Sequence, residues 1–316
     1  MILQTEIKIQ PLEQTITYSD GLLFLGSCFA DEVGGICRGT GFDALVNPFG
    51  VLYNPASIAQ SINRLANGKP FSPNEVIAVG EKRFCTFSHN TAFWSNSEPA
   101  LLEQVNARLE AAHKHFLKSK WIVVSLGTSW VFKHKATGMI VSNCHKLPAQ
   151  QFERNFLTAE QSAELLSEMV DQHSEKQFIF TVSPLRHLKD GLHDNQLSKA
   201  ALMLAVDQVC AKHQNAYYFP AYEIVMDELR DYRFYKEDMV HPTEQTVHYI
   251  WERFTDFAIN PTEQPAMKMA SEVKRMLQHK PLFPENEAFE IFEKHKAEKI
   301  AELRRQYPNV LVENLT

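Results

Sequence analysis

Apolar and polar positions follow two different periods along the first 260 residues. One pattern is a short apolar run that stops at small or turn-forming residues. Leu22-Leu-Phe-Leu25 runs into Gly26-Ser27, Trp121-Ile-Val-Val-Ser-Leu126 into Gly127-Thr128, Gln177-Phe-Ile-Phe-Thr-Val182 into Ser183-Pro184, and Ala216-Tyr-Tyr-Phe219 into Pro220-Ala221. Continuous apolar runs of this length predict strands buried on both faces. The other pattern has helical spacing. It predicts helices over 28–39 (Val33, Ile36, Cys37), from Pro55 to a stop at Asn67-Gly68 (Ile58, Ile62, Leu65), and over 100–118 (Leu101, Val105, Leu109, Ala112, Phe116). Further helices are expected over 158–173, over 195–213 with Asp194 as N-cap, and after Thr243 with Val247, Ile250, Trp251, Phe254 and Phe257 inward.

This strand–helix alternation predicts an α/β domain whose parallel sheet is covered on both faces. Functional loops are then expected at the C-terminal ends of the strands, where all four turn pairs named above lie. The character changes after Pro261. Residues 265–278 and 286–306 predict two polar helices split by Pro281 and Pro284, the second carrying Phe289, Ile291, Phe292, Ile300 and Leu303. The expected division is a domain over 1–260 and a helical C-terminal extension over 261–316, an arm that packs on the core or forms a homo-oligomer. Its Lys/Glu-rich side reads as a solvated face.

Composition narrows the class. The chain of 316 residues is 44% hydrophobic and 22% charged, which suits a folded core rather than disorder. A net charge of -6 argues against nucleic acid as a partner. No secretory signal and no membrane-spanning run are visible, and Cys28, Cys37, Cys85, Cys144 and Cys210 lack CxxC spacing. Reduced thiols in the cytoplasm, without a membrane partner or a zinc ribbon, are the expectation.

The candidate chemistry begins with Ser27, a hydroxyl at the end of the first strand. From the local sequence it is either a plain helix cap or a nucleophile beside the free N–H groups of a helix start. Asp238-Met-Val-His241 is the second element. A seryl hydroxyl needs a base, and histidine suits that task. An acid three residues earlier on the same loop can orient the imidazole and stabilise its charged form. Each signal is ambiguous alone; an early Gly-Ser and a late Asp-x-x-His together match the layout of a serine hydrolase.

Gly26-Ser27-Cys28-Phe29-Ala30 resembles the signature of the GSCFA family, which is similar to the SGNH, or GDSL-like, hydrolases. Asn47 to Pro55, Asn143-Cys144-His145-Lys146, Ser183 to His187 and Asp231 to Pro242 resemble further family blocks. The resemblance implies a three-layer αβα sandwich around about five parallel strands in flavodoxin-like order. It implies Ser27 as nucleophile, His241 as general base and Asp238 as its orienter. It also implies an oxyanion hole from the Ser27 N–H, a loop glycine matched best by Gly50, and an asparagine side chain. The SGNH pattern has Gly-x-Asn-Asp where this chain has Gly127-Thr128-Ser129-Trp130, so Thr128 or Asn143 takes the asparagine's place.

Other polar positions are weighed on the same terms. Asn47, His89, His145, Arg186 and His187 are candidate substrate-binding residues, with Arg186 suited to a carboxylate or phosphate. Arg186-His187-x5-His193-Asp194 lacks the spacing of a common zinc site, so no metal is expected. Lys199 reads as structural and Cys28 as a packing residue. The aromatic segment from Phe84 to Trp94 reads as core, with an apolar pocket as the alternative. The expected function is a cofactor-free esterase acting on a small-molecule ester, such as a small acyl group on a carbohydrate or related metabolite. An acyltransferase with the same triad and a non-catalytic binding module remain as alternatives.

Overall fold

Each apolar run forms a strand, and the chain is organised around a sheet of five. The computed structural model describes residues 5–280 and 287–315. In chain order the strands are β1 (Gly21–Gly26), β2 (Asp43–Val46), β3 (Val76–Ala78), β4 (Phe84–Thr86), β5 (Ser119–Leu126), β6 (Trp130–His134), β7 (Ile140–Val141), β8 (Phe152–Phe156), β9 (Gln177–Val182) and β10 (Ala216–Tyr218). The helices are α1 (Cys28–Gly39), α2 (Pro55–Asn67), α3 (Glu98–Lys118), α4 (Ala159–Gln172), α5 (Leu192–Lys212), the single turn α6 (Ala221–Glu223), α7 (Glu244–Ala258), α8 (Gln264–Gln278) and α9 (Glu287–Gln306). Pro281 and Pro284, expected to split the last two helices, lie outside the described residues.

The central sheet has the order β2-β1-β5-β9-β10, and its pairings are all parallel. Counted by sheet strand alone this is the flavodoxin-like order 2-1-3-4-5, with the switch point between β1 and β5. Alternation along β1 divides the core. Leu22 and Phe24 face a layer of α1, α7 and α8 that includes Val33, Ile250, Phe254 and Val273. Leu23 and Leu25 face the opposite layer, where α2 to α5 contribute Ile58, Val105, Leu166 and Leu202. Each such buried side chain contributes about 1.5–3 kcal/mol relative to exposure.

Capping fixes most helix starts. Asn54 Oδ1 accepts from Ser57 N at the head of α2, Pro55 occupies the first turn, and Gly68 closes the helix in the left-handed region. Thr158 and Gln161 form a capping box on α4, and Thr243 caps α7. At α5 the expectation fails. The helix starts at Leu192 after Gly191, whose φ of 84° turns the chain early, so Asp194 lies in the first turn instead of at the cap. A carboxylate is still favoured there by the helix dipole.

Several elements were not predicted. β2 is a four-residue edge strand paired only with β1. A three-stranded antiparallel sheet, β7-β6-β8, stands apart from the main sheet, as does the β3-β4 hairpin. A π-helical turn, Ile224–Glu228, continues from α6.

The ends of the fold are joined to its core. Leu303 on α9, with Val310, Val312 and Leu315 after it, is buried in the same cluster as Phe42 and Cys37. Near the start of the chain, Ile16 bridges Ile259 in parallel, and Leu12 N donates to Phe257 O at 2.8 Å. Among the described residues, no helix is long and apolar enough to cross a membrane.

Candidate active site

The turn after β1 is built from the backbone outward. Gly26 has φ 135°, and a Cβ on it would lie 2.1 Å from Ser125 O, so only glycine fits. Its N–H donates to Asn47 Oδ1 at 2.8 Å, while Asn47 Nδ2 donates to Asp31 Oδ1 at 2.6 Å. Asn47, buried and itself at φ 41°, thus anchors the turn that presents Ser27. Burial raises the Asp31 carboxyl, and the Asn47 bond partly offsets that rise.

Ser27 is 1% exposed. Its Oγ accepts from Phe29 N at 3.2 Å, capping α1, and lies 2.9 Å from Ser125 Oγ. The Ser27 N–H donates to Ser125 O at 3.0 Å and the Gly50 N–H to Asn47 O at 2.8 Å. Both backbone donors expected for the oxyanion are therefore bonded to carbonyls in this state.

Asp238 and His241 sit on the loop before α7, each about half exposed. Asp238 Oδ1 accepts from the N–H groups of Val240 and His241, both at 2.9 Å, and Oδ2 lies 2.5 Å from His241 Nδ1. The two backbone N–H groups, then the imidazole, hold the Asp238 carboxyl down at about 2. The turn requires Met239 at φ 56° and closes through Lys236 N donating to His241 O at 2.7 Å. With Nδ1 on the carboxylate, Nε2 is the nitrogen left to accept a proton. Lys236 Nζ comes within 3.9 Å of Glu32 on α1, which places the loop beside the helix that Ser27 caps. Among the described residues, no hydrogen bond joins Ser27 to His241.

A cleft of about 820 Å³ is lined by Tyr53, Thr128, Asn143 and His187, with Trp130, Phe132 and Phe152 of the antiparallel sheet; Ser27, Asp238 and His241 are not among its lining residues. Tyr53 links it to the serine turn: its hydroxyl lies 3.6 Å from Cys28 Sγ, and its ring stands edge-on to His187 with centroids 5.3 Å apart. Thr128 Oγ1 accepts from Trp130 N at 3.1 Å and pairs with Ser198 Oγ at 3.1 Å. Asn143 Oδ1 accepts from His145 N at 2.7 Å, and its Nδ2 has no partner among the described residues.

His89 and His145 lie behind the cleft, not on it. His89 is caged by the rings of Phe49, Phe71 and Phe93, with Nδ1 2.7 Å from Thr86 Oγ1, and burial pushes its imidazole down to about 3. His145 Nε2 lies 2.8 Å from Thr86 O. The half-buried Arg186 reaches Met226 Sδ at 3.3 Å, away from the cleft lining. Burial lowers the cleft's His187 to about 4, and nearby Lys199 adds to that shift. Among the described residues, no three His, Cys, Asp or Glu side chains group as metal ligands do.

Sequence reasoning missed Ser125, Tyr53, Asn195 and Ser198, and left Lys199 as simply structural. Lys199 Nζ donates to Gly127 O at 2.6 Å and Ser183 O at 2.7 Å, the first carbonyls past the ends of β5 and β9. The available signals were the lone hydroxyl inside the β5 apolar run and the Asn195-x-x-Ser198-Lys199 spacing, which puts three polar groups on one helix face. No curated protein matches the chain. The GSCFA family profile matches residues 21–254, from β1 into α7, and so takes in Ser27, the cleft and the Asp238–His241 pair: the chain belongs to the GSCFA family.

Proposed function

We propose that the protein is a serine esterase of SGNH-like mechanism. The observation that carries this reading is the Asp238–His241 pair, 2.5 Å apart, on a loop beside the helix that Ser27 caps. Ser27 Oγ attacks the ester carbonyl while His241 Nε2 takes its proton, and Asp238 stabilises the resulting imidazolium. The tetrahedral intermediate expels the alcohol, protonated by His241, and water then releases the acyl group. Contact between Nε2 and Oγ requires the exposed 236–241 loop to close over bound substrate; catalytic hydrogen bonds commonly tighten at that stage.

Of the two candidates for the missing asparagine, Asn143 has its Nδ2 without a protein partner among the described residues, which supports it as an oxyanion ligand, with the Thr128 hydroxyl as the other. The Ser27 and Gly50 N–H groups serve the oxyanion only by exchanging their present carbonyls for it. The exposed ring of Phe132, in the same cleft lining as Asn143, suits an acylated sugar or similar metabolite. Five free cysteines support a cytoplasmic setting.

One observation favours a second reading. Ser27 is nearly fully buried and hydrogen-bonded to Ser125, as it would be in a binding module that keeps the fold without the reaction. A fluorophosphonate probe separates the two. The wild-type protein is expected to label at Ser27, Ser27→Ala not at all, and Asp238→Asn roughly 10²–10⁴-fold more slowly. A folded wild-type protein that neither labels nor hydrolyses any of a panel of esters would establish the binding module.

A further inference from the structure

The groups that hold two of the cleft's lining loops come from one face of one helix. Asn195, Ser198 and Lys199 stand at i, i+3 and i+4 on α5 and are 1%, 2% and 0% exposed. His187 N donates to Asn195 Oδ1 at 2.9 Å. Ser129 N donates to Ser198 Oγ at 2.8 Å, and the hydroxyls of Thr128 and Ser129 both lie on the same Oγ, at 3.1 and 3.0 Å. Lys199 takes the carbonyls of Gly127 and Ser183, one from each loop. Tyr53 joins the same assembly, because its carbonyl accepts from Gly127 N at 2.7 Å and Thr128 N at 2.9 Å.

Lys199 is the member that packing alone does not explain. No carboxylate meets it among the described residues, and both acceptors are neutral. Burial, helped by the Arg186 guanidinium, lowers its ammonium to about 7. A methionine of similar length would fill the space without desolvating a charge. Only a donor at the end of a long stem ties together the first carbonyls beyond two neighbouring strands, where the β5–β9 ladder ends and its loops diverge.

We infer that Lys199 is a positioning residue: with Ser198 and Asn195 it sets the β5–β6 and β9–α5 loops that carry Thr128 and His187 to the cleft, and thereby which ester the cleft accepts. The part concerning esters rests on the esterase reading; the part concerning loop geometry does not.

Two measurements on the full chain keep these apart. In Lys199→Met and Ser198→Ala, amide hydrogen exchange at Ser129 and His187 is expected to quicken about tenfold or more, with β1 and β9 unchanged. Exchange at wild-type rates in both variants would overturn the inference. Should Lys199→Met fail to fold, Ser198→Ala alone decides this arm. The second measurement is a double-mutant cycle on an ester that the wild type hydrolyses. Lys199→Met is expected to raise KM about tenfold more than it lowers kcat, and most of that KM effect should vanish in a His187→Ala background. Effects that simply multiply would mean that Lys199 acts through general stability. If the wild type hydrolyses nothing, the esterase reading fails while the exchange result still judges whether Lys199 and Ser198 set the two loops.

Discussion

Buried imidazoles govern how this molecule meets acid. His89 and His187 are neutral in the fold, with burial lowering them from 6.5 to about 3 and about 4. Below pH 6.5 the unfolded chain takes up protons that the folded chain does not, so stability falls with pH until the folded values are reached. Each such histidine steepens the acid limb by up to about 1.4 kcal/mol per pH unit. His89→Phe keeps the aromatic cage and removes that proton. Its unfolding midpoint, followed from pH 7 to 4, is expected to depend less on pH than that of the wild type; an equal slope would mean that His89 is not the group titrating. Asp238 acts lower, between its unfolded 3.8 and about 2, where stability from its ionised form is lost. At this scale the sequence was informative where partners are close in the chain. Asp238 and His241 are three residues apart and find each other through a turn. The cage around His89 takes Phe93 from the aromatic segment already read as core, but Phe49 and Phe71 come from separate segments that no local pattern ties to it.

At the scale of elements, backbone geometry decides what the turns tolerate. Gly26→Ala would press a Cβ into a strand carbonyl at a φ that side chains avoid, so a loss of more than about 3 kcal/mol in urea unfolding is expected. Gly35, inside α1, makes the contrast. A Cβ there would meet nothing within 4 Å, so Gly35→Ala should gain about 0.5–1 kcal/mol. Equal effects at both positions would contradict this account of the serine turn. The long apolar strands were readable because both faces are covered. β2 was not, since four edge residues with mixed burial carry too little pattern, and the β6–β8 sheet was not, since its partly exposed strands lack a continuous apolar run. The start of α5 was misread because Gly191 outcompetes Asp194 as the point where the chain turns.

Over the whole molecule, the C-terminal segment is part of the core. Leu303 is fully buried in one cluster with Phe24, Cys37, Ile250 and Phe254, so Leu303→Ala should cost about 2–5 kcal/mol and lower a single unfolding transition as a unit. Two separate transitions would instead make 261–316 an independent appendage. Helices α8 and α9 were legible from their sequence, but the contacts that seat the residues after them were not. Leu311 N donating to Gly41 O and Asn314 Nδ2 donating to Phe42 O are contacts across more than half the chain that no window of sequence contains.

The pairing of Leu12 and Ile16 with Phe257 to Asn260 bears on how the molecule is made. The segment of Leu12 and Ile16 must wait for one that is made some 240 residues later before its N–H groups find their acceptors. At roughly 5–20 residues per second, a ribosome leaves that segment unpaired for about 12–50 s. During that interval the backbone around Leu12 and Ile16 is open to other chains, so protection of the early segment by chaperones matters most before Ala258 has left the exit tunnel.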